Sequence, residues 1–210
     1  MLQVLIADDH AITREGLKRI LSDHPEPVHV GNAATAAQTL SMVRKSAWDL
    51  VLLDISLPDK SGLDVLKSIK KERPALPVLV LSMYPVDQYA LRVLKAGGAG
   101  YLTKESAPEQ LLEAVRKVSA GGRFITAELA EHMARELAEG TPMLPHEGLS
   151  DREFEVLRLI ASGRTPTEIA AHLSLSVKTI STYRTRLLRK MGMRHNAELT
   201  HYAISNRLVF

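Results

Sequence analysis

Three aspartates, a serine and a lysine stand where apolar runs stop. Asp8 and Asp9 follow Val4-Leu5-Ile6-Ala7, and Asp54 follows Leu50-Val51-Leu52-Leu53. Ser82 closes Pro77-Val78-Leu79-Val80-Leu81, and Lys104 follows Gly100-Tyr101-Leu102-Thr103. If these runs are parallel strands, all five polar residues lie at carboxyl ends, the edge where open α/β sheets bind ligands. Gathered carboxylates repel one another, and a hard cation such as Mg2+, which takes oxygen ligands and bridges carboxylates to phosphoryl oxygens, relieves the repulsion. With the metal held by Asp8 or Asp9, Asp54 is left as a nucleophile towards a phosphoryl donor, giving an aspartyl phosphate. Lys104 would neutralise the added charge, and the Ser82 hydroxyl would hydrogen-bond a phosphoryl oxygen. Taken singly, each acid reads as a turn or cap residue. Capping does not account for all five residues at successive strand ends.

The elements that would position them alternate along residues 1–121. Strands are expected at 3–8, 28–32, 49–54, 77–82 and 99–102, and helices at 11–23, 35–46, 61–73, 86–96 and 107–120. Ser106 and Glu109, with Pro108 between them, have capping-box spacing ahead of the last helix. Five βα units imply a doubly wound parallel sheet in the order 2-1-3-4-5, with right-handed crossovers placing helices on both faces. Residues 122–148 read as an interdomain linker containing one helix, about 127–139, that starts after Thr126 and stops at Gly140. Residues 141–148 carry two prolines and a glycine and read as a loose connection. Residues 149–210 read as a small all-α domain. Ser150 with Glu153 and Thr165 with Glu168 are capping boxes, Ser176 is placed to cap a helix to Met191, and Asn196 one to residue 206. Only Leu173–Ser176 separates the second and third of these helices, the spacing of a helix-turn-helix.

Charge is divided unevenly between the two halves. The chain has a formal net charge of +3, but from Leu149 onwards ten Lys/Arg face five Asp/Glu, and Ser176–Arg194 holds six cations and no acid. A slightly acidic front and a basic tail imply that only the tail meets a polyanion. There is no cysteine, which excludes disulfides, thiolate metal sites and a cysteine nucleophile and fits a reducing cytoplasm. No apolar run approaches the ~20 residues that span a bilayer, so no membrane partner is expected. The first strand begins at once without a basic n-region, and a signal peptide is not expected.

On a 3.6-residue period, Val177, Ile180, Tyr183, Leu187, Leu188 and Met191 share an apolar arc, while Lys178, Ser181, Thr182, Thr185, Arg186 and Arg189 share the other. Long cations attract phosphates, and short polar side chains let the backbone approach base edges. Arg184 falls on the apolar arc; its stem is expected to pack inward and its head to snorkel towards the backbone.

With these residues in place, residues 1–121 resemble the receiver domain of two-component response regulators. The pattern is Asp8-Asp9, Asp54 followed by Ile-Ser-Leu-Pro58 and Gly62, then Ser82, Tyr101 and Lys104. The resemblance implies that Asp54 is the phosphoacceptor for a sensor histidine kinase. It also implies that Asp9, Asp54 and the Ser56 carbonyl ligate Mg2+, with Asp8 acting directly or through water, and that Ser82 and Tyr101 reorient together. Ser82 stands where threonine is more frequent, and Glu105 follows Lys104 where a cis proline is common. Residues 149–207 resemble the LuxR-type helix-turn-helix of NarL/FixJ response regulators, through Leu149-Ser-Asp-Arg-Glu-Phe-Glu-Val-Leu157, Glu168-Ile-Ala170 and Ser176-Val-Lys-Thr-Ile180, with Leu187, Lys190 and Met191 following. That makes 177–191 a recognition helix on double-stranded DNA, with Ser181, Thr182 and Thr185 facing bases and Lys178 and Arg186 facing phosphates. The helix at 196–206 would dimerise the phosphorylated protein, and RNA polymerase is a further partner. An aspartate-dependent phosphatase would want a second acid two residues past its nucleophile, and position 56 is serine. A binding module indifferent to phosphate would not need the acidic set.

Overall fold

The computed structural model of the chain describes residues 1–138, 144–206 and 208–209. It divides into two compact units, Met1–Arg135 and Glu136–Phe210. In the first, β1 (Leu2–Ala7), β2 (Val28–Ala33), β3 (Leu50–Asp54), β4 (Val78–Ser82) and β5 (Gly100–Thr103) form one parallel sheet in the order β2-β1-β3-β4-β5, as expected. Every residue of β3 and β4 is buried, which is why their sequences are continuous apolar runs rather than alternating ones.

Alternation of side chains divides the strands between two cores. Val4, Ile6, Leu50, Leu52, Leu79, Leu81 and Leu102 pack with Leu17 and Leu21 of α1 (Ala11–Leu21) and with Leu111, Ala114, Val115 and Val118 of α5 (Pro108–Ser119). The intervening positions Leu5, Val51, Leu53 and Val80 are equally buried and serve the face of α2 (Ala36–Lys45), α3 (Gly62–Glu72) and α4 (Val86–Lys95), which contact one another in series. α6 (Ala127–Ala138) follows. The expected stop at Gly140 and the start of the 141–148 connection lie outside the described residues. The rest of that connection is not loose, for Pro145–Gly148 form a 3-10 turn in which Glu147 accepts from the Leu144 N–H at 2.9 Å.

Strand register sets the site. Ala7 pairs with Leu53, Asp54 with Leu81, and Ser82 with Thr103. Asp8 therefore emerges beside Asp54, and Lys104 lies one residue past the Ser82 row. The turn after β3 folds back closely: Gly62 N–H donates to the Ile55 carbonyl at 2.8 Å. A Cβ on Gly62 would stand 2.3 Å from the Asp54 carbonyl oxygen, so only glycine fits there.

The second unit holds α7 (Asp151–Ala161), α8 (Pro166–His172), α9 (Val177–Met191) and α10 (Asn196–Ser205) around Phe154, Leu157, Ile169, Ile180, Leu187 and Leu199. Capping boxes form at Ser150 and Thr165, and Ser176 accepts from the Thr179 N–H. Two other expected caps do not form. α5 is entered from Ala107 because Pro108 takes its first turn, and the Ser106 hydroxyl bonds to Thr103 Oγ1 instead. α10 is entered from His195, and the Asn196 side chain is spent on Arg184.

Candidate functional site

At the carboxyl edge of the sheet, Asp8, Asp9, Asp54 and Lys104 meet. Lys104 Nζ lies 2.6 Å from Asp8 Oδ2 and donates to Asp54 Oδ2 at 2.7 Å, so one ammonium serves two buried carboxylates. Asp54 Oδ1 accepts from the Ser56 N–H at 3.0 Å, and Asp8 Oδ1 from the His10 N–H at 2.8 Å. The Asp8 carbonyl accepts from Arg14 Nη1 at 2.7 Å. Burial pushes the Asp54 carboxyl above its usual range despite Lys104 and Ser56. For Lys104, burial opposes the charge, but hydrogen bonds to Asp54 and Asp8 outweigh it and raise the ammonium.

Sequence reasoning missed His10. Its Nδ1 is 2.8 Å from Asp9 Oδ1, and ligand atoms of Asp8, Asp9, His10 and Asp54 all lie within 4.8 Å of one another. Three carboxylates against one ammonium leave the crevice anionic, and an oxygen-rich donor set of this kind suits a hard divalent cation. The signal was available in the residue directly after the two strand-end acids. The missed Arg14 had none, because its partner is a backbone carbonyl six residues back, beyond the start of α1.

Ser82 and Tyr101 do not join the crevice cluster. Both reach the backbone of Tyr84: the Ser82 hydroxyl accepts from its N–H at 3.1 Å, and the fully buried Tyr101 donates to its carbonyl at 2.6 Å. Tyr84 in turn stacks on Tyr89, with ring centroids 5.2 Å apart. The first segment after β4 is thus held at a single residue by side chains from two strands. Among the described residues no peptide bond is cis, that after Lys104 included.

On α9, Lys178, Ser181, Thr182, Thr185, Arg186 and Arg189 are all exposed. Ser174, at φ 54°, makes the turn between α8 and α9, and Gly192 at φ 66° ends α9. The opposite arc is less regular than the period implies. Ile180, Leu187 and Met191 are buried, Tyr183 and Leu188 are half-buried, but Val177, at the first turn, is 44% exposed, and none of the described elements of its own unit covers it. The Arg184 head is not drawn to backbone; its Nε donates to Asn196 Oδ1 at 2.6 Å. Lys190, on the same helix, ion-pairs with buried Glu153 at 2.6 Å.

Comparison with known proteins agrees with both halves. Residues 4–116 match the "Response regulator receiver domain" family, and residues 147–203 match "Bacterial regulatory proteins, luxR family". The chain is 34% identical to Response regulator UvrY of Escherichia coli K12 over 99% of its own length and 96% of that protein's. It is 32% identical to Response regulator GacA of Pseudomonas aeruginosa over 100% and 98%. Among solved structures it is similar to RcsB from Salmonella enterica serovar Typhimurium bound to promoter rprA in the presence of the phosphomimetic BeF3−, with TM-score 0.68, 29% identity, and coverage of 98% of this chain and 100% of that one.

Proposed function

The chain belongs to the NarL/FixJ family of two-component response regulators, DNA-binding proteins that regulate rather than catalyse, and from that premise we propose that it is switched at Asp54. A histidine kinase presents a phosphohistidine, an Asp54 carboxylate oxygen attacks phosphorus, the P–N bond breaks, and the histidine leaves as the P–O bond forms. Asp8, Asp9 and Asp54, with the Ser56 carbonyl, would hold Mg2+, and His10 stands ready beside Asp9. Mg2+ supplies positive charge to the phosphoryl oxygens.

The observation that carries this reading is the single ammonium shared between Asp8 and Asp54. Lys104 can follow charge from one carboxylate to a new phosphoryl group without leaving the crevice. The Ser82 oxygen accepts from the Tyr84 N–H and keeps its own proton for that group, so turning the side chain towards it pulls on Tyr84, whose carbonyl Tyr101 holds. Charge at Asp54 thereby becomes a displacement of the segment after β4, a two-state element of the kind a switch requires.

The output is pairing of two copies through α10, which sets two α9 helices into major grooves about one helical turn apart, or a multiple of that. Serine at position 56 supplies no second acid, so loss of the phosphoryl group is slow self-hydrolysis. A kinase and a chromosome as partners place the protein in the cytoplasm, where RNA polymerase is the next contact. No described helix is long and apolar enough to cross a membrane.

Intact-mass measurement after incubation with a small phosphodonor and Mg2+ tests the reading. An acid-labile adduct of about one phosphoryl group is expected on the wild type and not on Asp54→Ala, with tighter DNA binding only where the adduct forms. An adduct that survives Asp54→Ala, or DNA affinity indifferent to it, overturns the proposal.

A further inference from the structure

Three hydroxyls on the exposed face of α9 have already used their protons. Ser181 Oγ donates to the Val177 carbonyl, Thr182 Oγ1 to the Lys178 carbonyl and Thr185 Oγ1 to the Ser181 carbonyl, each at 3.0 Å. A carbonyl can only accept, so in each pair the hydroxyl must be the donor. What the three side chains turn outward is oxygen lone pairs and, on the threonines, methyl groups.

Val177 extends the same surface. It lies four residues before Ser181 and eight before Thr185, on one stripe of the helix. It is also 44% exposed in a helix whose other aliphatic side chains are buried or half-buried. Recognition helices meet base edges with their amino-terminal residues, and Val177 is the first residue of α9. The donors remaining on this face are the cations Lys178, Arg186 and Arg189.

A surface of methyls and acceptors has a definite complement in the major groove. An A·T pair offers the thymine methyl and the adenine N6 amino donor together. A G·C pair offers, like A·T, one amino donor beside two acceptors but has no methyl, so contact with the methyl is what tells the two pairs apart. We infer that the Val177–Ser181–Thr185 stripe reads A·T pairs, with Val177 packing on a thymine 5-methyl group. This rests on α9 being the major-groove helix, as proposed above. The flanking cations engage phosphates or guanines at the margins of the half-site.

The test uses the full-length protein with phosphodonor and Mg2+. A random duplex library is first selected for binding, and each thymine of the selected half-site is then replaced by deoxyuridine, which lacks only the methyl. The expected half-site has A·T pairs at its centre. At least one thymine-to-uracil change should weaken wild-type binding about three- to tenfold, the scale of one buried methyl. That same change should be silent in Val177→Ala, whose helicity by circular dichroism stays at the wild-type level. A G·C centre, no uracil-sensitive thymine, or equal sensitivity in Val177→Ala overturns the inference while leaving DNA binding intact. Failure to enrich any duplex at low salt would overturn the recognition role of α9 itself, and the inference with it.

Discussion

The acidic crevice and the basic helix face handle charge in opposite ways. In the crevice, Asp8 and Asp54 are 1% and 3% exposed and share one ammonium; their interaction is little screened, and any added charge must move something. On α9 the cations lie in water, where their attraction for a polyanion is strong but yields to salt. On the proposed function, switching belongs to the crevice and steering to the helix. The second unit nevertheless buries charge of its own, at Glu153 and Arg158. Glu153 Oε2 accepts from Lys190 at 2.6 Å and from the Ser150 N–H and hydroxyl at 2.8 and 2.9 Å. Asp54 and Glu153 are shifted in opposite directions. Burial drives Asp54 upward, whereas for Glu153 burial is outweighed by Lys190 and Ser150, which hold it below the usual range.

The contrast is broken most directly at Lys104. Lys104→Met leaves two buried carboxylates without their counter-charge and should cost the first unit about 3 kcal/mol. Urea unfolding in chelator, followed by the fluorescence of the one tryptophan, Trp48, reads this, and added Mg2+ should restore part of the loss. An unchanged midpoint would mean that Asp8 and Asp54 do not need the ammonium.

Glu153→Gln should cost the second unit about 2 kcal/mol through the lost charge-assisted bond. Because the folded state holds Glu153 below its ordinary value of 4.5, its contribution is complete above that pH and is lost as the pH falls through the lower folded value. Acid titration of helicity should show the wild-type second unit weakening in that window and the variant with a flatter profile.

Asp59 offers a smaller effect away from both sites. Its two carboxylate oxygens accept from the Ala36 and Ala37 N–H groups at 2.7 and 3.0 Å, capping α2 from the turn after Asp54. Asp59→Ala should lower the stability of the first unit by about 1 kcal/mol. At the far end of the scale, Lys178→Ala should leave stability within about 0.5 kcal/mol. It should instead reduce the slope of log affinity against log salt by about 0.9; an unchanged slope would remove Lys178 from the phosphate contacts.

Legibility in the sequence followed the range of the interaction. Strand ends to within one residue, the helix-turn-helix spacing and the capping boxes at Ser150 and Thr165 stand where pattern placed them, because they depend on neighbours within a few residues. The box at Ser106 had the same spacing and did not form, because Thr103 competed for the hydroxyl. Asp59 reached α2 across 23 positions and Lys190 reached Glu153 across 37, distances over which one-dimensional periodicity carries no information. Val177 fell on the apolar arc by period, yet an arc is buried only where another element lies over it.

The sequence by itself determined that acids end parallel strands and that a cationic, acid-free helix follows a tight turn, because hydrophobic period and backbone geometry are local properties. Tertiary structure alone decided that Lys104 divides itself between Asp8 and Asp54, that Ser82 and Tyr101 meet on the backbone of Tyr84, and that Val177 faces water. Each of those depends on strand register and on what packs over a helix end, and the free energy that settles them comes from groups far apart in the chain.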